Sequence, residues 1–153
     1  IKSQLWDVSG RRIFAPVIKN YFKGIIGIIL VYDVSNKKSF ENLNYWLSEI
    51  EINKSQNNEI KILLIGNKTD KKNREVSWEM GNDIARQHDL LFFETCAKDS
   101  NNNIPEIKEK FCTLIHDSHD FTTSHPGIQL PKILDLSKPN NEEPGLSDCC
   151  CCS

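Results

Sequence analysis

Apolar residues along this chain fall into two rhythms that take turns. Short aliphatic runs at Ile25–Tyr32, Lys61–Ile65 and Leu90–Glu94 are bounded by polar residues or glycine, which predicts buried strands. Between them the spacing changes to threes and fours. Phe40, Leu43, Leu47 and Ile50 fit one helical face with Asn36 upstream as its N-cap, and a shorter helix is expected from Ser77 to Gln87. Ile104, Ile107, Phe111, Leu114 and Ile115 mark a last helix, with Pro105 suited to its first turn. Upstream, Lys2–Trp6 alternates like a short strand and ends at Asp7-Val8-Ser9-Gly10. Arg11 to Lys23 contains Pro16 and reads as a mobile loop with a broken helical turn. Strands alternating with helices predict an α/β domain with a parallel sheet.

Beyond His116 the pattern collapses into a polar stretch broken by Pro126, Pro131, Pro139 and Pro144. The expected organisation is therefore one domain over 1–117 and a flexible tail over 118–153. With 39% hydrophobic and 26% charged residues the domain has the composition of an ordinary globular protein. A net charge of −2 argues against nucleic-acid binding as the main task. No apolar run reaches the length of a membrane span, and the start carries no secretory signal. The chain opens at Ile1, in mid-strand pattern, which reads as a fragment whose true beginning is missing. Four consecutive cysteines, Cys149 to Cys152, stand just before Ser153. Zinc would require a second ligand pair, for which His116 and His119 are the candidates. Lipid attachment in a reducing cytosol suits a terminal cluster better.

The most informative stretch is Asn67-Lys68-Thr69-Asp70, directly after the run Ile62-Leu63-Leu64-Ile65-Gly66. Polar groups at the carboxyl end of a buried parallel strand face the crevice where open α/β sheets bind ligands. Such a set can read a guanine base. The Asp70 carboxylate would accept two N–H bonds from the base edge, the Lys68 stem would cover the ring, and Asn67 would tie neighbouring loops together.

Trp6-Asp7-Val8-Ser9-Gly10, Val31-Tyr32-Asp33-Val34, Asn67-Lys68-Thr69-Asp70 and Glu94-Thr95-Cys96-Ala97-Lys98 occur in the order that resembles Ras-superfamily small GTPases. Leu5-Trp6-Asp7, Tyr21-Phe22-Lys23-Gly24 and the cysteine tail make the chain similar to a Rab protein, over roughly Ile1 to Leu114. Asn73-Arg74-Glu75-Val76 resembles a Rab branch of the endoplasmic reticulum and lipid droplets. The resemblance implies a P-loop NTPase-type (Ras-like) fold, a parallel sheet flanked by helices and incomplete at the N-terminus. It implies a GTP/GDP-binding switch in vesicle-mediated transport that uses Mg²⁺ in the intact parent protein. Asn67, Lys68 and Asp70 would bind guanine, and Cys96, Ala97 and Lys98 would add a backbone N–H toward its O6. Asp7 would hold Mg²⁺ indirectly, and the Gly10 N–H would sense the γ-phosphate. Asp33 reads as a structural strand-end carboxylate.

Departures from the family pattern matter as much. Val8-Ser9 replaces the usual Thr-Ala, and Arg11 stands where the family has the Gln that orients the attacking water. Arg12 replaces the following Glu. A guanidinium has no acceptor for water, so slow hydrolysis is expected. An arginine finger at Arg11 and a solvated loop face are the other readings of these arginines. No glycine-rich loop ending in Lys-Ser or Lys-Thr occurs in the sequence. The family's first strand would lie between the strands built from Lys2–Trp6 and Ile25–Tyr32. Without it the 153 residues are expected to fold poorly and to bind GTP weakly or not at all.

The tail from His119 to Asp148 has two lysines against five acidic residues, so it gains no polybasic attraction to a membrane. One lipid chain anchors only marginally and two are needed; the resemblance implies two geranylgeranyl groups. Cys150 and Cys151, or Cys151 and Cys152, are the alternative pairs, and a C-a-a-X box at Cys150 is a third reading. Ile128-Gln129-Leu130 resembles the motif by which Rab tails dock on the Rab escort protein before geranylgeranyl transferase acts. The implied location is the cytoplasmic face of an endomembrane, in exchange with the cytosol. A different class of reading is a nucleotide-independent membrane adaptor derived from a Rab, and a third is a gene-model fragment without a role of its own.

Overall fold

The computed structural model describes residues 4–22, 24–54, 60–99 and 102–118. In chain order the regular elements are α1 (Ala15–Ile18), β1 (Gly27–Asp33), α2 (Lys37–Glu41), α3 (Leu43–Asn53), β2 (Lys61–Asn67), α4 (Trp78–Gln87), β3 (Leu91–Glu94) and α5 (Ile104–Ser118). The strands form one parallel sheet in the order β1-β2-β3. β1 pairs with β2 from Gly27–Lys61 to Asp33–Asn67, and β2 with β3 from Leu63–Leu91 to Gly66–Glu94. This register brings Asp33, Asn67 and Glu94 to the same end of the sheet.

β2 is the central strand, and its adjacent Leu63 and Leu64 point to opposite faces yet are both fully buried. On one face Leu64 packs with Tyr32, Val34, Phe40, Leu43, Val76 and Ala85. On the other, Leu63 packs with Ile107 and Phe111 of α5. Each such side chain removed from water contributes about 1.5–3 kcal/mol, so the two faces together hold the sheet between its helices. α5 approaches β1 closely enough that a Cβ on Gly27 would stand 2.7 Å from Ile115 Cδ1. Strand alternation puts Ile29 and Val31 on the same face as Gly27, but neither joins the cluster that Leu63 forms with Ile107 and Phe111. They are 39% and 56% exposed, and among the described residues no strand pairs with the outer edge of β1.

Two helix starts agree with the sequence reading. Asn36 Oδ1 accepts the Ser39 N–H at 3.3 Å, and Ser77 Oγ accepts the Met80 N–H at 3.3 Å. Three expectations are corrected. The described part of the expected first strand, Gln4–Trp6, is not a strand, and Leu5 is 80% exposed. Alternation supplies faces but no hydrogen-bonding partner, and this segment does not take the free edge of β1. The helix read through Phe40 and Ile50 is two helices that meet at Asn42. The carboxamide of Asn42 is engaged by Arg12 (2.8 Å from Nη2 to Oδ1).

The third correction concerns Arg11 to Lys23. The broken helical turn is present, but it fills the described segment, as 3₁₀ turns at Arg12–Phe14 and Lys19–Phe22 around α1, and leaves little loop. Ile18 and Phe22 are buried with Ile50 of α3, Lys19 pairs with Glu49 at 3.1 Å, and the Arg12 guanidinium lies 4.6 Å above the Tyr45 ring. Arg12 is exposed and still reaches α3, through Asn42 at its start and the Tyr45 ring.

Candidate functional site

The carboxyl ends of β1, β2 and β3 carry the candidate site, and Asn67 is its hub. As the last residue of β2 it donates no chemistry itself; its side chain organises two loops. Asn67 Oδ1 accepts the Lys68 N–H at 2.8 Å and the Ala97 N–H, thirty positions on, at 3.1 Å. Thr95 N–H donates to the Gly66 carbonyl at 2.8 Å and Thr69 N–H to the Thr95 carbonyl at 3.3 Å. The loops after β2 and β3 are therefore stitched at three points, as expected for Asn67 from sequence.

Asp70, Thr69, Cys96, Lys98 and Asp99 line an open cavity of about 420 Å³. The Cys96 thiol donates to Asp70 Oδ1 at 3.2 Å, which turns one carboxylate oxygen toward the β3 loop. The Ala97 amide is committed to Asn67. Lys68 does not line the cavity. Its backbone is left-handed, with φ 69°, and its ammonium sits 2.7 Å from Asp33 Oδ2 at the end of β1. The Lys68 stem expected above the base is drawn toward the sheet.

Asp33 is the strand-end carboxylate read from sequence, but its partners were not legible there. Besides Lys68 it accepts the Ser35 N–H at 2.8 Å and the Ser35 hydroxyl at 2.7 Å. Partial burial pushes its carboxyl up, but the Lys68 and Ser35 bonds outweigh that and bring it down to about 2. The available signal was its position. Asp33 and Asn67 are register partners on adjacent parallel strands, so their loops start side by side. Arg74 bonds the Val76 carbonyl at 2.7 Å and forms an ion pair with Glu94, while Val76 is wholly buried. The Asn73–Val76 segment therefore fastens the domain together.

Asp7, Gly10 and Arg11 lie apart from these loops. Among the described residues no hydrogen bond or ion pair joins them to the base loops; the Arg11 amide donates to Ser9 Oγ at 3.4 Å. Gly10 is exposed with nothing within 4 Å of a notional Cβ. Cys150, Cys151 and Cys152, with Ile128 and Leu130, fall outside the described residues.

Comparison with known proteins places this geometry in context. Residues 1–119 match the model of the Ras family. The chain is 35% identical over 151 residues to Ras-related protein RIC1 of Oryza sativa subsp. japonica, covering 98% of this chain and 72% of that protein. It is 41% identical over 118 residues to Ras-related protein Rab-10 of Diplobatis ommata, covering 76% of this chain and 56% of that one. Against Ras-related protein Rab-18 of Lymnaea stagnalis the identity is 34% over 151 residues, covering 99% and 70%. The chain thus spans about half the length of some relatives and under three quarters of the others.

Proposed function

The chain belongs to the Ras family, as a Rab-like small GTPase, and from that premise we propose that its two stitched loops bind guanine nucleotide. The observation that carries this reading is the Asn67 carboxamide joining the loop after β2 to the loop after β3 beside the Asp70 carboxylate. Guanine presents an adjacent N1–H and 2-amino group. Asp70, exposed at an open cavity of about 420 Å³, has the acceptor chemistry to take both, and O6 falls to a backbone N–H of the Cys96–Lys98 turn other than that of Ala97, which Asn67 holds. The donor set fits the base.

Mg²⁺ is a different case. Asp7 is exposed, and among the described residues no group of three or more His, Cys, Asp or Glu is placed to hold a metal ion. Asp7 would act on the ion only through water, in the intact parent protein, and no step is routed through it. Base recognition alone supports modest affinity. At about 0.3–0.5 kcal/mol per heavy atom, the roughly eleven heavy atoms of guanine give a Kd on the order of 1 mM.

The finer biology follows the Rab likeness. We assign the protein to vesicle-mediated transport, with hydrolysis slow because Arg11 offers water no acceptor. Membrane attachment would run through two geranylgeranylated cysteines, Cys150 and Cys151 or Cys151 and Cys152, delivered by an escort protein and a transferase. A second reading, a nucleotide-independent membrane adaptor, draws on one observation. The Arg12–Asn42 bond and the Arg12–Tyr45 stack hold the Arg12–Phe22 segment on α3 through contacts that involve no residue of the base loops.

The test is an amide NMR titration of the 153-residue chain with GDP, with ADP and Asp70→Ala as controls. Shifts at 67–70 and 96–98 that ADP does not produce and Asp70→Ala abolishes are the expected outcome. Each charge-assisted bond lost is worth about 1.5–3 kcal/mol, so the variant should lose binding at least tenfold. An intact fold with no response to GDP at these loops would sink the nucleotide reading and leave the adaptor.

A further inference from the structure

We propose that the groove between α3, the start of β2 and the end of α4 is the docking site for a segment of this chain's own tail, Ile128 to Leu136. The proposal is independent of the base-site reading, because the groove lies at the other end of the sheet. Asp33, Asn67 and Glu94 mark the carboxyl ends of the strands, whereas Ile62 opens β2 and Leu90 stands just before β3. The groove encloses about 420 Å³. Buried Leu47 and Ile50 of α3 line it together with Ile62 and Leu90. Ile52, also on the groove, is 75% exposed, which leaves apolar surface continuous from the trough to its rim. One wall carries Glu51 of α3, and the other carries His88 at the C-cap of α4.

The tail contains a segment of matching chemistry. Ile128, Leu130, Ile133, Leu134 and Leu136 fall within nine residues of an otherwise polar stretch, and Lys132 and Asp135 bracket Ile133-Leu134. Lys132 is opposite in charge to Glu51, and Asp135 is an acceptor for the His88 ring. Glu51 already meets Lys54 at 2.6 Å, but its side chain is 69% exposed and has room for a second cation. The end of α5 puts the tail within reach. A Cβ on Gly27 would stand 2.7 Å from Ile115 Cδ1, and Gly27 is the register partner of Lys61, next to Ile62. The chain therefore leaves Ser118 at the groove's end of the sheet, on the opposite face. Rounding the sheet from one helical layer to the other takes about 20 Å, two helix diameters. The nine residues 119–127 reach about 30 Å when extended and average about 17 Å as a flexible coil. A linker whose average length matches the span holds its segment at millimolar effective concentration, so a short apolar segment stays seated without high affinity. While seated, it is withheld from every other partner.

The experiment places the photoreactive p-benzoylphenylalanine at position 129 of the full chain and maps the products of irradiation by mass spectrometry. Links within the same chain to residues 44–52 and 88–90, in a yield that does not change with protein concentration, are expected. Ile52→Asp alters an exposed position and should lower that yield about fivefold. Ile133→Ser/Leu134→Ser should lower it equally from the tail side, and because that variant leaves the domain untouched it decides the matter even if Ile52→Asp disturbs folding. Links scattered over the domain, or a yield that Ile133→Ser/Leu134→Ser leaves unchanged, would overturn the proposal. Links to a second chain that fade on dilution would assign the groove to another copy and overturn it as well.

Discussion

Replacing Asn67 by Ala removes one carboxamide and should detach two loops. Its Oδ1 is the acceptor for the Lys68 and Ala97 amides; both residues are exposed, and each bond lost costs at most about 1 kcal/mol net. Two such losses come to at most about 2 kcal/mol, before counting the left-handed Lys68 whose restraint also weakens. For a domain of this size that corresponds to a fall in Tm of at most about 8 °C. Urea unfolding followed by circular dichroism measures the stability change, and hydrogen exchange of the Ala97 amide reports the joint itself. The Ala97 amide should exchange at least tenfold faster in Asn67→Ala, while β2 amides such as Leu64 change only with global stability. Asn67→Asp keeps an acceptor and should retain most of the protection. Stability within 0.5 kcal/mol of wild type, as for an ordinary surface change, together with unchanged Ala97 exchange, would refute the claim that Asn67 joins the loops.

Tyr32→Phe is expected to leave stability unchanged or raise it by about 1 kcal/mol. The Tyr32 hydroxyl is buried with no hydrogen-bond partner among the described residues, and burial first, then Glu94, pushes it up to about 12; a loss above 1 kcal/mol in urea unfolding would point to a bond that the geometry lacks. Gly81→Ala should destabilise α4 by about 1–3 kcal/mol through overpacking, since its Cβ would collide with the Tyr32 hydroxyl and the Phe92 ring; thermal melts that favour the alanine would contradict that packing. Acid should release the Asp33 tether. Its pKa is 3.8 unfolded and about 2 folded, so its contribution is complete above pH 4 and fades as the pH falls toward 2. Asp33→Asn should flatten that limb of the stability curve, and an unaltered limb would remove Asp33 as its source. In the intact parent protein, Arg11→Gln, which restores an acceptor for water, should raise GTP turnover at saturating nucleotide at least tenfold; an unchanged rate would clear Arg11 of responsibility for slow hydrolysis.

Periodicity located β2, α4 and β3 to within one or two residues, and the face of α5, because each buries a stripe or a run against a packed neighbour. Where it failed, no such neighbour was encoded nearby. Gln4–Trp6 alternates, but a strand also requires a ladder partner, and local pattern carries no information about one. Arg12 read as a loop charge because its partners, Asn42 and Tyr45, lie thirty or more positions away. The two base loops were legible as motifs, and the role of Asn67 followed from its place at the end of β2. The destination of Lys68 was not legible, because it depends on the parallel register that sets Asp33 opposite Asn67.

The outer edge of β1 sets the behaviour of this polypeptide in concentrated solution. Ile25 to Tyr32 is eight residues without a charge, and along β1 one row of backbone groups faces no strand among the described residues. Ile29 and Val31 stand open beside that row. Such an edge, lacking lysine or proline to blunt it, is a template for a further β-strand from any source. The first strand to arrive, whether from elsewhere in a longer polypeptide or from a neighbouring molecule, decides between a finished sheet and a growing aggregate. Turbidity that rises steeply with concentration is the outcome expected of that open edge.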